Sequence, residues 1–462
     1  MQTTPISQPT DQRKGLVLLA VGIGTFMSAL DASVVNTILP IMRQAFNSQV
    51  ATIEWVVVVY LLVVSGLLLT FGRLGDLHGQ RRVYLLGFVI FVSSSVLCGL
   101  APTASLLVVF RAIQALGAAM LFANSPAILT KTYPASQRGH ALGLQATMTY
   151  LGLTVGPSLG GWLTQVFSWR AVFYINLPVG LLALVLSWIN VPHDRLENNS
   201  ERFDFPGALL FISGLVAFLL ALNQGSSWGW RSPLILGLSG GAFLILGVFI
   251  WWEKRVKFPM LDLRLFKHPV FSTATVSAVC NYIALYIVLF LLPFYLLQGR
   301  NLNPAQAGLL MTAQPLVMAF SAPLSGTISD RIGSRLPATL GMLILAIGML
   351  MLSRLGLQTP YSQVVIGLMV CGLGTGIFVS PNNSALMGSA PRTRQGIAAG
   401  ILATARNVGM VLGIGLGGAV LTTSLEHGSQ GLFEAMHKGF LVAMAAALLA
   451  GLVSAARRKV AS

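Results

Sequence analysis

The sequence predicts an all-α polytopic membrane protein built from two related helical bundles. Hydrophobic residues make up 55% of the 462 residues, charged residues make up 9%, and the mean hydropathy is +0.77. A soluble domain of this length needs far more polar surface than this composition supplies. Apolar runs of roughly 18 to 25 residues predict fourteen spans, centred near residues 27, 61, 91, 117, 151, 180, 215, 243, 281, 315, 346, 371, 411 and 448.

Two sequence patterns recur at nearly the same spacing. Glycines at 143, 152, 156, 160 and 161 recur at 400, 409, 413, 417 and 418, an offset of 257 residues. A second pattern, at an offset of 254 residues, relates Gly72, Asp76, Gly79 and Arg81 to Gly326, Asp330, Gly333 and Arg335. We interpret the chain as two six-helix bundles, residues 1–190 and 269–462. Related halves usually enclose a site near the bilayer midplane, as in secondary transporters.

Residues 191–268 are interpreted as a central two-helix insert with flanking cytoplasmic loops. Both repeats skip this segment, because they relate span two to span ten and span five to span thirteen. We expect the insert to carry no buried charge. It is either a lipid-facing spacer or an element that takes part in gating or contacts a partner subunit.

The distribution of basic residues predicts the orientation in the membrane. Loops and tails on the side of the two predicted termini hold 21 Lys and Arg, the opposite loops hold six, and Arg111 and Arg406 lie within spans. Since basic loops stay in the cytoplasm, both termini are predicted to be cytoplasmic. The basic cytoplasmic loops then account for the net charge of +16, so this charge does not indicate a nucleic-acid partner, and none is expected. The N-terminal tail lacks the features of a signal peptide, so none is predicted to be removed.

Asp31 is the only acidic residue that lies deep in a predicted span, in the outer half of the first. A carboxylate at this depth is costly unless it is protonated, paired or facing water. Asp31 is therefore either a structural partner or a carboxyl that loads and releases a proton. Arg111 in the fourth span lies at a similar depth, so we expect an ion pair between the two residues.

Glycines and loop charges predict where the helices close against one another. Three glycines spaced by four residues, at 152, 156 and 160, share one helix face and permit close contact with another helix. The adjacent proline removes a backbone donor and bends that helix. The duplicated acidic loop pattern predicts a matched pair of latches on the cytoplasmic face. The predicted gating residues are Gly72, Asp76, Gly79, Arg81, Gly152, Gly156, Pro157, Gly160, Gly161, Asp330, Arg331 and Gly333.

Polar and aromatic residues within the spans are candidates for substrate contact, although each could equally join two helices. The candidates are Asp31, Asn36, Tyr60, Gln114, Asn124, Tyr150, Asn281, Tyr282, Tyr286, Gln314, Asn382, Asn383 and Arg406. The three cysteines lie in spans without metal-binding spacing, so neither a metal site nor a disulfide is predicted. The sequence contains no glycine loop for nucleotide phosphates and no nucleophile–base motif, so ATP-driven pumping and enzymatic catalysis have no support.

Five sequence motifs resemble those of one family. They are LDASVVNTILP (30–40), GRLGDLHGQRR (72–82), RAIQALGAA (111–119), GLTVGPSLGG (152–161) and WRAVFYINLPVG (169–180). Together they resemble the major facilitator superfamily, and in particular its fourteen-span drug:proton antiporter branch, over essentially the whole chain. Leu77 and Gln80 replace basic residues of the family pattern in the loop after span two.

The resemblance implies a multi-pass exporter in the cytoplasmic membrane of a bacterium, driven by the proton gradient and without a bound cofactor. It implies that Arg111 assists proton transfer and that the motif containing Gly156 and Pro157 favours exchange over symport. The expected partners are protons, membrane lipid and a lipophilic small molecule, neutral or cationic, and the expected state is a monomer. The alternatives are export of an anionic or zwitterionic metabolite with Arg406 as its counter-charge, an uptake symporter, and a receptor that does not transport.

Overall fold

The computed structural model describes residues 11–48, 50–194, 201–229, 231–302, 304–425 and 431–457. Sixteen α-helices occupy these ranges, and a π-helical turn, Tyr295–Gly299, extends the tenth. They are α1 Asp11–Ala45, α2 Val50–His78, α3 Gln80–Leu100, α4 Ala104–Thr132, α5 Arg138–Val166, α6 Ala171–Tyr174, α7 Asn176–Asn190, α8 Phe205–Trp228, α9 Pro233–Glu253, α10 Pro269–Phe294, α11 Pro304–Met311, α12 Ala313–Ile332, α13 Arg335–Ser353, α14 Tyr361–Ser389, α15 Gln395–Leu425 and α16 Gly431–Ala455.

Thirteen helical stretches of the described chain are long and apolar enough to cross a membrane. Two of them combine a short helix with a longer one, α6 with α7 and α11 with α12. The predicted span centred near residue 151 corresponds to α5, which is not among the thirteen. With 29 residues, α5 is roughly 43 Å long at 1.5 Å per residue. Its glycine, threonine and glutamine residues lower its hydropathy, because this helix is built for contact with other helices.

The helices pack as two bundles and an added pair. Helices α1 to α5 and α7 pack with one another, and so do α10 and α12 to α16. The bundles meet along two seams. In the first seam α2 packs against α15, and in the second α5 packs against α12. The sequence repeat relates α2 to α12 and α5 to α15, so the two seams are built from equivalent pairs of helices.

One end of each seam is closed by direct backbone contact. We name it the basic end, because it carries the basic loops at 72–82, 131–138 and 392–394. A Cβ atom on Gly72 would collide with the carbonyl oxygen of Gly396 in the first seam, and one on Gly326 would collide with that of Gly139 in the second. Only glycine allows the backbones of the two bundles to approach this closely. The interface between the bundles is therefore shut at the basic end.

The insert consists of α8 and α9, which pack against each other. Helix α8 also packs on α2 and α15, so it covers the first seam, whereas α9 leaves most of its apolar side chains exposed. The expectation that the insert carries no buried charge is wrong at the basic end. Asp204 and Glu253 are buried there. Asp204 caps α8 and accepts a hydrogen bond from Trp252, and Glu253 accepts one from the Leu261 amide, so each buried carboxyl has a hydrogen-bond partner.

Candidate functional site

Asp31 lies on α1 in the interior of the first bundle, with 1% of its surface exposed. Its Oδ2 atom is 2.6 Å from Nη1 of Arg111, which forms the ion pair expected from the depths of the two residues. Its Oδ1 atom accepts hydrogen bonds from the side-chain amides of Gln114, at 3.1 Å, and Asn176, at 2.9 Å. Each partner is a nitrogen donor, so the site is built to hold an ionised carboxylate.

Arg111 is held by three residues of the first bundle besides Asp31. Its Nη1 also donates to Oε1 of Gln114 at 2.7 Å, and its Nε donates to the Val56 carbonyl at 3.3 Å. The guanidinium carbon lies 4.2 Å from the centre of the Tyr60 ring, a cation–π contact. Arg111 is 1% exposed. A guanidinium only donates hydrogen bonds, so a proton on Asp31 would remove the negative charge that pairs with Arg111 and weaken this contact.

Asn176 has a place in this network that the sequence did not reveal. Its side-chain amide donates both to Oδ1 of Asp31 and to Oγ of Ser95, each at 2.9 Å, and it is buried at the start of α7. Ser95 in turn donates to the Phe173 carbonyl. Asn176 therefore ties α7 and α3 to the carboxyl on α1. Its presence in the motif at 169–180 was the only sequence signal that pointed to it.

The glycine ladder of α5 packs against α1 close to Asp31. Cβ atoms on Gly152 and Gly156 would collide with the Phe26 carbonyl and with Ser33 of α1, and one on Gly160 would press on Val34. The side chains of Asn36 and Pro157 lie outside the described part of the structure. Gly161 has open space around it, so it makes no close helix contact of the kind that we predicted for the ladder.

Asp76 joins the two bundles at the basic end of the first seam. Its carboxylate accepts hydrogen bonds from the backbone amides of Gly396, at 2.7 Å, and Ile397, at 3.0 Å. These are free amides at the N-terminus of α15, where the helix dipole also favours a negative charge. Gln80 donates to the same carboxylate at 3.1 Å. A carboxylate of the first bundle thus caps a helix of the second.

Asp330 makes the reciprocal contact at the second seam. It accepts hydrogen bonds from the backbone amides of Gly139, at 2.9 Å, and His140, at 3.1 Å, which begin α5. Thr327 also contacts the His140 ring, at 2.9 Å. The duplicated acidic pattern therefore occupies equivalent positions at the two seams, and each acidic residue caps a helix of the opposite bundle.

The other residues of the predicted latches do not bridge the bundles. Arg81 donates to the Trp188 carbonyl at 2.6 Å and so stays within the first bundle. Arg331 is exposed at the rim of a basic-end cavity that Lys14 also lines. Gly79 and Gly333 adopt φ angles of 100° and 86°, which favour glycine, and so permit the tight turns after α2 and α12.

A third contact between the bundles comes from the loop of the insert that precedes α8. Glu201 accepts hydrogen bonds from Arg73 of α2 at 2.7 Å and from both Nη atoms of Arg394 at 2.9 and 3.0 Å. Burial raises the pKa of Glu201, but the hydrogen bond from Arg73 and the charge of Arg394 outweigh this effect, so its pKa lies below the usual value. We name these residues the Glu201 clamp. The sequence did not predict it, because Glu201 and Arg394 are 193 residues apart.

Aromatic residues from both bundles lie at the interface to which Arg406 belongs. Tyr150 of α5 packs in one cluster with Tyr282 and Tyr286 of α10. Arg406 of α15 lies with its guanidinium carbon 4.9 Å from the centre of the Phe122 ring, and α15 packs against Tyr282 and Tyr286 at Gly409 and Gly413. The structure thus brings these four predicted site residues together.

Asn383 is half-buried, and the other remaining polar candidates divide into two groups. Asn124 donates to the Phe71 and Met120 carbonyls, and Asn382 donates to the Ala274 carbonyl, so both amides join helices. Asn281 and Gln314 of the second bundle are buried. In the described part of the chain, neither amide atom of Asn281 has a hydrogen-bond partner, and neither does Nε2 of Gln314. These two residues stay candidates for contact with a cargo.

Residues 21–263 and 274–461 match the family model described as the Major Facilitator Superfamily. The riboflavin transporter RibZ of Clostridioides difficile (strain 630) is 35% identical over 432 residues, which are 94% of this chain and 93% of RibZ. The multidrug resistance protein Stp of Mycobacterium tuberculosis (strain CDC 1551 / Oshkosh) is 34% identical over 412 residues, 89% of this chain and 76% of Stp. The structure of the human organic anion transporter MFSD10 (TETRAN) shares the fold, with a TM-score of 0.69 at 16% identity over 97% of this chain and 100% of that one. The chain therefore belongs to the Major Facilitator Superfamily, as the resemblance of its motifs to the drug-efflux branch implied.

Proposed function

We propose that this transporter is a proton-coupled antiporter that exports lipophilic drugs across the cytoplasmic membrane of a bacterium. The observation that carries the proposal is the buried carboxylate of Asp31, held by Arg111 and two amides. A buried ion pair contributes little net stability compared with apolar packing. Charged residues inside a membrane most often mark proton or substrate pathways, so a role in coupling explains this pair better than packing does.

The arrangement supports a simple coupling step. A proton that reaches Asp31 removes the negative charge that holds Arg111, so the contact of Arg111 with Oδ2 weakens and Arg111 is free to move. Arg111 contacts Val56 and Tyr60 of α2, and α2 forms the first seam with α15. Protonation of Asp31 is therefore linked to the position of α2 against the second bundle. In alternating access, this link makes closure on one side depend on occupancy of the proton site.

The topology that we propose has fourteen spans, with α5 as the span that the hydropathy profile omits. The basic end faces the cytoplasm and both termini lie on that side, as the distribution of basic residues favours. The state described above is then closed to the cytoplasm by Asp76, Asp330 and the backbone contacts near them. We propose a monomer with lipid around it and no bound cofactor.

The test uses the full-length protein in liposomes that contain a pH-sensitive dye. A drug added to the side that it is exported from should move protons in the opposite direction, and an imposed proton gradient should drive its export. Asp31→Asn should abolish both effects. The control is Glu434→Gln, which changes a carboxylate of an exposed ion pair on α16. Proton movement in the same direction as the drug would indicate a symporter, and flux without any dependence on the gradient would refute coupling.

Arg406 favours a second candidate for the cargo. Among the described residues no acidic side chain pairs with Arg406, and the only deep carboxylate is already occupied by Arg111. This positive charge suits export of an anionic or zwitterionic metabolite. The same charge is compatible with binding of neutral lipophilic drugs and of a monovalent cation that competes for Asp31. It repels a dication, which would need a second carboxylate.

A further inference from the structure

The region between the bundles contains a cation without a counter-charge. Arg406 lies on α15 and is half-buried. No ion pair to it is formed by the acidic residues that the structure describes. A guanidinium inside a membrane protein is costly to keep unless an anion or water compensates it. The site therefore has a positive charge available for a ligand.

A second polar group without a partner lies on α2, which faces α15 across the first seam. Tyr60 is 7% exposed, and within the described ranges its hydroxyl has no hydrogen-bond partner. Asn407, which follows Arg406 on α15, donates to Oγ of Ser65 at 2.8 Å, and Ser65 lies on the same helix as Tyr60. Arg406 and Tyr60 therefore lie on facing stretches of the first seam. Buried hydroxyls usually have a hydrogen-bond partner, so this hydroxyl is available to bond with a ligand at the interface between the bundles.

The surroundings of Arg406 are aromatic. Phe122 lies beside its guanidinium, and Tyr150, Tyr282 and Tyr286 form one cluster, against which α15 packs at Gly409 and Gly413. Aromatic side chains bind planar rings by stacking or edge contacts. Both bundles contribute to this group, so a ligand bound there contacts the two parts that move against each other.

We propose that Arg406 and the Tyr60 hydroxyl bind the acidic group of a planar aromatic cargo that carries one negative charge. A carboxylate or a similar anion accepts a charge-assisted hydrogen bond from the guanidinium and another hydrogen bond from the phenol. The rings of Phe122 and the three tyrosines then surround the aromatic body of the cargo. The identity of this ligand as a cargo rests on the transport function proposed above, whereas the binding site itself does not.

Tyr60 connects this site to the proton site. The ring that would present its hydroxyl to the cargo also lies against Arg111, with 4.2 Å between the guanidinium carbon and the ring centre. A cargo bound to the hydroxyl holds the Tyr60 ring in place, and the ring in turn holds Arg111 on Asp31. Binding of the cargo and protonation of Asp31 therefore oppose each other, as antiport requires.

The test measures binding of three probes with the same ring system and different charge. They are 1-naphthoate, 1-naphthamide and 1-naphthylmethylammonium, titrated into the purified full-length protein in lipid nanodiscs without a proton gradient. We expect the anion to bind on the order of tenfold more tightly than the amide and the cation to bind most weakly. Arg406→Gln should remove the preference for the anion, and Arg406→Lys should keep part of it. The control is Arg354→Gln, which changes an exposed arginine at the C-terminal end of α13, away from the basic end.

Tyr60→Phe tests the hydroxyl alone, because it keeps the ring against Arg111. It should weaken naphthoate binding several-fold and naphthamide binding less, because the bond to the charged acceptor is stronger. Binding of 1-naphthylmethylammonium, which has no acceptor for the hydroxyl, should not change, which also shows that the variant is folded. Equal affinity for the three probes, or the same preference in Arg406→Gln as in the wild type, would overturn the proposal. Charge-selective binding without gradient-driven flux in liposomes would refute the antiport function and still support this site.

Discussion

Removal of the Asp76 carboxylate tests the contact that closes the first seam. In Asp76→Ala the amides of Gly396 and Ile397 lose their two hydrogen bonds, and α15 loses the negative charge at its N-terminus. Loss of a helix N-cap costs roughly 1 kcal/mol, and a partly buried charge at a helix terminus contributes up to about 2 kcal/mol. We expect the closed state to lose about 2 kcal/mol, which changes the ratio of closed to open protein about 30-fold.

The assay is a distance measurement between spin labels at the basic end. Labels at His78→Cys and Arg392→Cys, both at exposed positions, report on the first seam. The native cysteines are buried, so they do not compete for labelling in the folded protein. Asp76→Ala should add a population with a longer distance, and Asp76→Asn, which keeps one acceptor oxygen, should add a smaller one.

The control for this experiment is Asp262→Ala. Asp262 caps a short turn at the basic end through the Arg264 amide but does not join the bundles. A distance distribution in Asp76→Ala that matches the wild type and Asp262→Ala would mean that Asp76 is only a local cap. The latch interpretation would then be wrong.

Four further outcomes follow from the same geometry. Asp31→Asn should abolish gradient-driven export but retain exchange of labelled for unlabelled drug, and normal gradient-driven export by this variant would remove Asp31 from the mechanism. Gly156→Leu should force α5 away from Ser33, destabilise the packed helices by roughly 1–3 kcal/mol and lower export or cause a proton leak, whereas wild-type flux would reduce the motif to local packing. Glu201→Gln should cost the closed state about 1 kcal/mol. Because the pKa of Glu201 is lowered, its contribution should be complete above the usual glutamate pKa of about 4.3 and be lost only as the pH falls through the lowered value, so pH-dependent gating between pH 5 and 8 that disappears in Glu201→Gln would contradict this reasoning. Finally, a monovalent quaternary ammonium drug should be exported better than its divalent analogue, and equal coupled export of both would show that charges other than Asp31 and Arg406 set the selectivity.

The sequence predicted those parts of the site that follow from depth and from repetition. Asp31 and Arg111 were paired because each lies at a similar depth in its span, and the structure contains that ion pair. The two latches were predicted from the duplicated acidic loop pattern, because a sequence pattern present in both halves is expected at equivalent positions of both bundles. Asp76 and Asp330 accordingly cap equivalent helices of the opposite bundles.

Contacts that depend on tertiary packing could not be predicted from depth or from repetition. Asn176 reaches Asp31 across 145 residues, and Glu201 reaches Arg394 across 193, with no periodicity or repeat to relate them. Arg81 was placed in the latch because it follows Asp76 in the loop, yet its side chain turns towards Trp188 of its own bundle. Proximity along the chain indicates which loop a charge belongs to, but not which helix it contacts.

The position of α8 makes the two seams mechanically unequal. At the first seam α8 contacts both α2 and α15, and Gly66 of α2 leaves room for Val216 of α8. To part the bundles there, α8 must be released from one of them, and the Glu201 clamp must open. No described helix outside the two bundles covers the second seam in this way. We therefore expect the first seam to act as a hinge and the second to swing wider, so that a lipophilic compound dissolved in the bilayer meets the interface first between α5 and α12.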